Sequence, residues 1–369
     1  MKRVGNLYDD LCEWRNLWDA ALKARKGKRF RPNVAAFEFC REQELLSLQS
    51  ALRSESYRPG RYRSFWIHEP KHRLISAAPY RDRVVHHAIC RLIEPVWEAV
   101  FITDSYACRV GKGSLAAMKR AHEFCRRFKY VLKCDIQRFF PSIDHQILLT
   151  QLERKLKDRR LLSLLEVILK HPFPGQTAGS RFPGDDLFTP LERSCGLPIG
   201  NQTSQFFGNV MLNPLDHFIK EDLRIKGYVR YADDFLLFSD DRPLLARIRD
   251  QLREFLEPFR LRIHPHKSIV FPTRCGLPFL GYRLLPDRIR LGRKHLLNLR
   301  RRLHEFERQC RKGMISVEEA KASLQSWWGY AMHADCQTIV QSILSDFPFL
   351  ETKDENAEKA KKIRRRFAT

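Results

Sequence analysis

The chain has no Cys-x-x-Cys pair, no long apolar run and no signal-like start. Its ten cysteines, at positions 12, 40, 90, 108, 125, 134, 195, 275, 310 and 336, are scattered. That scatter argues against structural zinc and against the disulfide framework of a secreted domain. Nothing in it is long and apolar enough to span a bilayer, and no amphipathic anchor is evident. The opening residues, Met1-Lys2-Arg3-Val4-Gly5-Asn6-Leu7-Tyr8, are too polar for a signal peptide. No internal repeat marks a solenoid. These absences predict a cytoplasmic protein with reduced thiols and no membrane partner.

Acidic residues are also in short supply. Lys and Arg number 67 against 43 Asp and Glu, a formal net charge of +24 and a pI near 9.9. Such an excess points to a polyanionic partner, most simply nucleic acid. The 369 residues, 43% of them hydrophobic, are enough for two or three subdomains around one continuous core.

Two stretches carry the chemistry. In Tyr228-Val229-Arg230-Tyr231-Ala232-Asp233-Asp234-Phe235-Leu236-Leu237-Phe238, strand-forming residues flank an Asp pair. This predicts a β-hairpin with two carboxylates at its tip. Asp is also an ordinary turn residue, so a solvated tip is the plain alternative. About a hundred residues upstream, Tyr130-Val131-Leu132-Lys133-Cys134-Asp135 reads as a strand delivering a third carboxylate. Pro141 and Ser142 then lead into a helix beginning near Asp144. Carboxylates on separate strands can converge where neighbours on one strand cannot. Polymerases hold two divalent ions in such a set, one activating the primer 3′ hydroxyl and one clamping the triphosphate. Magnesium suits hard oxygen ligands shared with phosphates.

A Tyr-x-Asp-Asp hairpin preceded by a strand ending in Asp-x-x-x-x-Phe resembles the palm of a reverse transcriptase. Arg81-Asp82-Arg83-Val84-Val85-His86-His87-Ala88 and Ser105-Tyr106-Ala107-Cys108-Arg109-Val110-Gly111-Lys112-Gly113 resemble fingers motifs of bacterial and group II intron enzymes. Lys267 and Phe279-Leu280-Gly281-Tyr282 sit where later palm motifs belong. The resemblance runs from about residue 60 to residue 345. It implies an α+β right-hand polymerase with fingers, a palm whose antiparallel sheet carries the hairpin, and a helical thumb. It also implies two Mg²⁺ ions on Asp135, Asp233, Asp234 and the backbone of Ile136, with dNTPs as substrates. Phe140, five residues after Asp135, falls where the family keeps an aromatic gate against the 2′-hydroxyl. Lys267 is a candidate general acid for the departing pyrophosphate, or a solvated loop lysine.

Residues 1–58 are expected to form a helical extension, 59–285 fingers and palm, 286–348 the thumb, and 349–369 a basic, disordered tail. In the first segment one helix runs through Leu7, Leu11, Trp14 and Trp18, and a second through Phe37, Phe39 and Leu45. The basic link at 23–32 between them is either a solvated loop or a phosphate contact. Residues 62–68 and 73–77 read as strands turning at Glu69-Pro70-Lys71. Arg73, with Lys71 and Arg81, is the candidate grip on the triphosphate, because a guanidinium fork binds phosphate oxygens in pairs. Apolar spacing is helical from 145 to 170, and a Pro/Gly-rich insertion follows to 190. Leu296, Leu299, Leu303, Phe306 and Cys310 form a helical stripe that leaves Arg300, Arg301 and Arg302 facing away. With Arg293, Tyr231, Gly281 and Tyr282, those arginines are the candidate nucleic-acid contacts.

The stretch Gly196-Leu197-Pro198-Ile199-Gly200-Asn201-Gln202-Thr203-Ser204-Gln205 bears on the subfamily. Group II intron and retron enzymes usually have Pro-Gln-Gly here, then Ser-Pro. Ile199 and Gln205 replace the glutamine and the second proline, a pattern that resembles reverse transcriptases of diversity-generating retroelements. This resemblance implies copying of a structured template-repeat RNA, errors opposite template adenines, and a small basic multimeric accessory protein in a bacterial or phage-encoded element. Ile199 and Gln205 would then lie at the nascent pair, although Ile199 as a buried loop anchor is the structural alternative. Other readings are a group II-like or defence-associated enzyme of conventional fidelity, or an inactive RNA-binding, maturase-like protein. The three intact carboxylates weigh against the last.

Overall fold

The structure, a computed structural model, describes residues 3–68, 72–176 and 179–350. The predicted turn residues Glu69, Pro70 and Lys71 and the basic tail beyond 350 lie outside the described residues. The chain forms two compact units, residues 1–117 with 132–270, and 118–131 with 271–369.

The first unit opens with four short helices, α1 (Leu7–Cys12), α2 (Trp14–Arg25), α3 (Pro32–Phe39) and α4 (Arg41–Arg53). Sequence spacing predicts two longer ones. Glu13 and Cys40 break them: Glu13 is extended and Cys40 departs from helical geometry. The basic link also shrinks, since Lys23 and Arg25 complete α2 and Pro32 starts α3. The hairpin β1 (Arg63–Ile67) and β2 (Arg73–Ala77) pairs Phe65 with Ile75 and Ile67 with Arg73. Then comes α5 (Tyr80–Glu98) and, after α6 (Ser114–Arg127), most of which belongs to the second unit, β3 (Tyr130–Asp135).

After β3, the short α7 (Phe139–Ser142) precedes α8 (His145–Glu153) and α9 (Arg159–Lys170). The apolar spacing predicts one continuous helical run here, and the structure divides it. Asp144 caps α8, accepting from the amides of Gln146 and Ile147. Asp158 caps α9 through Leu161 N at 3.1 Å, so the second helix starts afresh. The following loop holds α10 (Thr189–Glu192) and leads to α11 (Gln202–His217), which is buried on most faces. Strands β4 (Gly227–Tyr231) and β5 (Asp234–Ser239) are apolar and buried almost throughout, as suits strands covered on both faces. α12 (Arg242–Leu256) and β6 (Ile269–Pro272) follow. The sheet order is β4-β5-β3-β6, with β4 and β5 antiparallel and Tyr231 opposite Asp234.

The second unit contains an antiparallel sheet, β7 (Leu277–Phe279), β8 (Tyr282–Leu284) and β9 (Ile289–Leu291), followed by α13 (Arg293–Arg311), α14 (Val317–Ala331) and α15 (Gln337–Ser345). A capping box between Ser316 and Glu319 starts α14. Leu299 and Leu303 form the buried stripe of α13, while Arg300, Arg301 and Arg302 are exposed. No helix among the described residues is long and apolar enough to cross a membrane.

Candidate active site

Backbone hydrogen bonds bring the three aspartates to one place. Ile136 N, just past β3, donates to the carbonyl of Asp233 at 3.3 Å. His264 N donates to the carbonyl of Asp135 at 2.7 Å, and Gln137 N to that of Arg262 at 2.8 Å. The end of β3 is thus stitched to the hairpin tip on one side and to residues 262–264 on the other. That stitching carries Lys267 to Asp135, where its Nζ lies 2.5 Å from Oδ2. Lys133 reaches Asp234 Oδ2 at 3.4 Å.

The electrostatics of the tip are uneven. Asp234 Oδ1 is buried with no hydrogen-bond partner. Burial raises the Asp234 pKa to about 6, with Asp135 and Asp233 adding to the rise and Lys133 opposing it. Among the described residues no three His, Cys, Asp or Glu side chains form a ready-made metal cage. The donor chemistry nevertheless fits a divalent cation: clustered hard carboxylate oxygens, one of them a buried acceptor without a donor, facing cationic side chains where a metal would neutralise them.

Residues that the sequence does not single out hold the tip in place. Arg230 and Asp216 are both fully buried, and the guanidinium grips the carboxylate at 2.6 and 2.7 Å. Tyr228 Oη donates to the same carboxylate at 2.7 Å. Arg230 Nη1 donates to Asn209 Oδ1 at 3.0 Å and to the carbonyl of Ala232 at 3.1 Å. A signal for Arg230 exists, since a charge within an apolar strand needs a partner. Nothing in the sequence identifies that partner as Asp216. Lys133 was findable by strand alternation, which puts it on the face of Asp135.

The remaining candidates are more dispersed. Arg73 is exposed at the start of β2. Arg81 is half-buried and lies over the Tyr57 ring at 5.7 Å. Lys71 lies outside the described residues. Phe139 is buried and Phe140 half-exposed, their rings 5.3 Å apart. Both rings approach α11 at Gly208, where a Cβ would meet Phe139 at 3.2 Å and Phe140 at 3.6 Å. The half-buried Ile199 accepts at its carbonyl from Ser76 N at 3.0 Å, tying its loop to β2. Exposed Gln205 accepts from Cys108 Sγ at 3.2 Å. Tyr231 is half-buried, and burial raises its pKa.

In the second unit Gly281 has φ 89°, and a Cβ there would come 2.1 Å from Tyr330 Oη. Tyr282 is buried, packs its ring against that of Tyr330 at 4.6 Å with the planes tilted by 34°, and donates to the Tyr330 carbonyl at 2.8 Å. Its side chain is committed to packing rather than presented on a nucleic-acid surface. Arg293 opens α13 and is exposed. Arg300 lies 3.7 Å from Asp346, Arg301 donates to Asn298 Oδ1 at 3.2 Å, and Arg302 donates to Ser323 Oγ at 2.9 Å. These contacts are on exposed surface and leave the charges accessible.

Protein YkfC of Escherichia coli K12 is 27% identical over 295 residues, covering 69% of this chain and 74% of that protein. The group II intron-encoded protein LtrA of Lactococcus lactis is 23% identical over 181 residues, 48% of this chain and only 28% of its own length. Among solved structures, a partial Cas6-RT-Cas1–Cas2 complex matches 68% of this chain and 42% of that chain, at 19% identity and a TM-score of 0.40. The telomerase of Candida tropicalis truncated from its C-terminal domain matches 68% and 60%, at 10% identity and a TM-score of 0.46. The family model for reverse transcriptase (RNA-dependent DNA polymerase) matches residues 67–284, more than half of the sequence. The chain therefore belongs to the reverse transcriptase family and is an RNA-directed DNA polymerase of α+β architecture.

Proposed function

We propose that this reverse transcriptase serves a diversity-generating retroelement, copying a structured RNA into cDNA with errors concentrated opposite template adenine. The observation that carries the reading is Ile199 in place of the glutamine usual in group II intron enzymes, on a loop tied to β2 through Ser76. A glutamine there could hydrogen-bond the nascent pair or the template backbone, and isoleucine cannot. One polar restraint on pair geometry is thereby removed.

In this reading Asp135, Asp233, Asp234 and the Ile136 carbonyl hold two magnesium ions, which supply Lewis-acid activation of the primer hydroxyl and neutralise the triphosphate. Lys267 delivers a proton to the departing pyrophosphate, and Arg73, Lys71 and Arg81 hold the triphosphate. Phe140 presses on the sugar C2′ and selects dNTPs. The exposed arginines of α13 contact the phosphates of the cDNA/RNA duplex. With a net charge of +24, association with a small basic accessory protein is mediated by the template RNA, which screens the repulsion.

The test is deep sequencing of cDNA made on an RNA with all four bases well represented, using the enzyme with its RNA and accessory protein. Errors concentrated at adenine, and lowered by Ile199→Gln, support the proposal. Equal error rates at the four bases overturn it and leave a reverse transcriptase of conventional fidelity.

A further inference from the structure

We propose that Arg230 is a positioning residue for the metal-binding carboxylates, acting through the peptide that joins Ala232 to Asp233; this rests on the reading of Asp233 as a metal ligand. Asp233 follows a residue in the left-handed region, Ala232 at φ 55°. Non-glycine residues adopt that conformation only when their surroundings enforce it. The enforcing contact is at hand, because Arg230 Nη1 donates to the Ala232 carbonyl at 3.1 Å. Fixing that carbonyl fixes the plane of the peptide leading into Asp233. On the far side, the Asp233 carbonyl accepts from Ile136 N at 3.3 Å. Both peptide planes around Asp233 are thus tied, one to Arg230 and one to the end of β3.

The guanidinium is itself immobilised on every side. Nε and Nη2 engage Asp216, and Nη1 also engages Asn209. Asn209 and Asp216 lie seven residues apart on α11, two helical turns along one face. Asn209 Nδ2 donates to the Ala107 carbonyl at 2.8 Å. The main chain of Arg230 bonds the same segment, its N to Asp104 O and its O to Tyr106 N, both at 2.9 Å. Two stretches outside the hairpin, α11 and residues 104–107, therefore converge on Arg230, whose side chain ends at the hairpin tip. An arginine serving packing alone needs none of this direction, and an apolar replacement of the pair would do as well or better for stability.

The test separates packing from positioning. Arg230→Met, Asp216→Leu and Tyr228→Phe are combined so that neither a buried charge nor the Tyr228 hydroxyl is left unpaired. Arg230→Lys is the conservative companion, keeping the charge beside Asp216 without the fork. Mn²⁺ binding to the free protein is followed by electron paramagnetic resonance, and Mg²⁺ binding by the shift in melting temperature. The expected result is a folded protein with unchanged RNA affinity and divalent-ion affinity at least tenfold weaker in both variants. A folded variant that binds Mn²⁺ as the wild type does overturns the inference, as does failure of both variants to fold, which assigns the pair to structure alone. Asp233→Asn in the same titration distinguishes the two levels. If it binds Mn²⁺ normally, Asp233 is not a ligand and the underlying reading fails. If it loses binding while the Arg230 variants keep it, only the positioning role fails.

Discussion

The ammonium of Lys267 lies 2.5 Å from Oδ2 of Asp135, across 132 residues of chain. The lysine side chain is 49% exposed, so it can turn toward a substrate without leaving a buried site. As a general acid it should contribute a factor of about 10² to 10⁴. Lys267→Ala is expected to lower the single-turnover rate of primer extension by that range. A rate within a few-fold of wild type would return Lys267 to the role of a surface partner for Asp135.

Asp233→Asn should abolish primer extension while leaving RNA binding within about twofold, because asparagine keeps the turn and the Ile136 bond is to backbone. Extension and filter-binding assays on one preparation check both halves. Substantial extension by the variant refutes the assignment.

Phe140 is half-exposed where Phe139 is buried, so one ring of the pair is available to a substrate. Phe140→Ala is expected to raise ribonucleotide incorporation relative to dNTP use by at least about tenfold, since a lost steric clash of order 1.4 kcal/mol gives that factor. Competition extension with matched rNTP and dNTP is the measurement. An unchanged ratio would count against the gate.

Arg300, Arg301 and Arg302 stand exposed on α13 opposite the buried Leu299 and Leu303 stripe. Changing all three to Ala should flatten the slope of log affinity against log salt by up to ~3 for duplex. A slope equal to that of the wild type would place them off the nucleic acid.

The pH dependence of stability should follow His86. Both its ring nitrogens are buried without a partner, and burial, reinforced by His87 and Arg83, pushes its pKa down to about 3. The folded state keeps this imidazole neutral while the unfolded chain protonates it below about 6.5. Its contribution is therefore complete above that pH and is lost as the pH falls toward 3. At pH 5 the loss is about 2 kcal/mol. Urea unfolding of His86→Leu at pH 7 and pH 5 should show a smaller drop than wild type by about that amount. Parallel profiles would show that His86 does not set the acid limb.

Much of the site is legible in the sequence because strands and turns leave strong local marks. Tyr231-Ala232-Asp233-Asp234 sits between two apolar runs, and β4 and β5 form where those runs predict. Asp135 ends β3 for the same reason. What is not legible is long-range or depends on breaks in helical spacing. Asp216 is an ordinary helix residue until Arg230 folds onto it, and periodicity alone cannot reveal the cap at Asp158 that divides one apolar stripe into two helices. Tyr282 is another long-range case: its place in a motif does not announce that its ring is buried against Tyr330.

The strand order β4-β5-β3-β6 also has a consequence for the ribosome. β3 lies between its partners in the sheet but precedes both in the chain. A strand rich in Val131, Leu132 and Cys134 emerges with neither edge covered, and its first partner, β5, follows roughly a hundred residues later. At about 5–20 residues/s that is an exposure of about 5 to 20 s, long enough for an apolar edge to meet a chaperone or another nascent chain. Slowing translation between β3 and β5 should lower soluble yield, whereas slowing it after β6 should not.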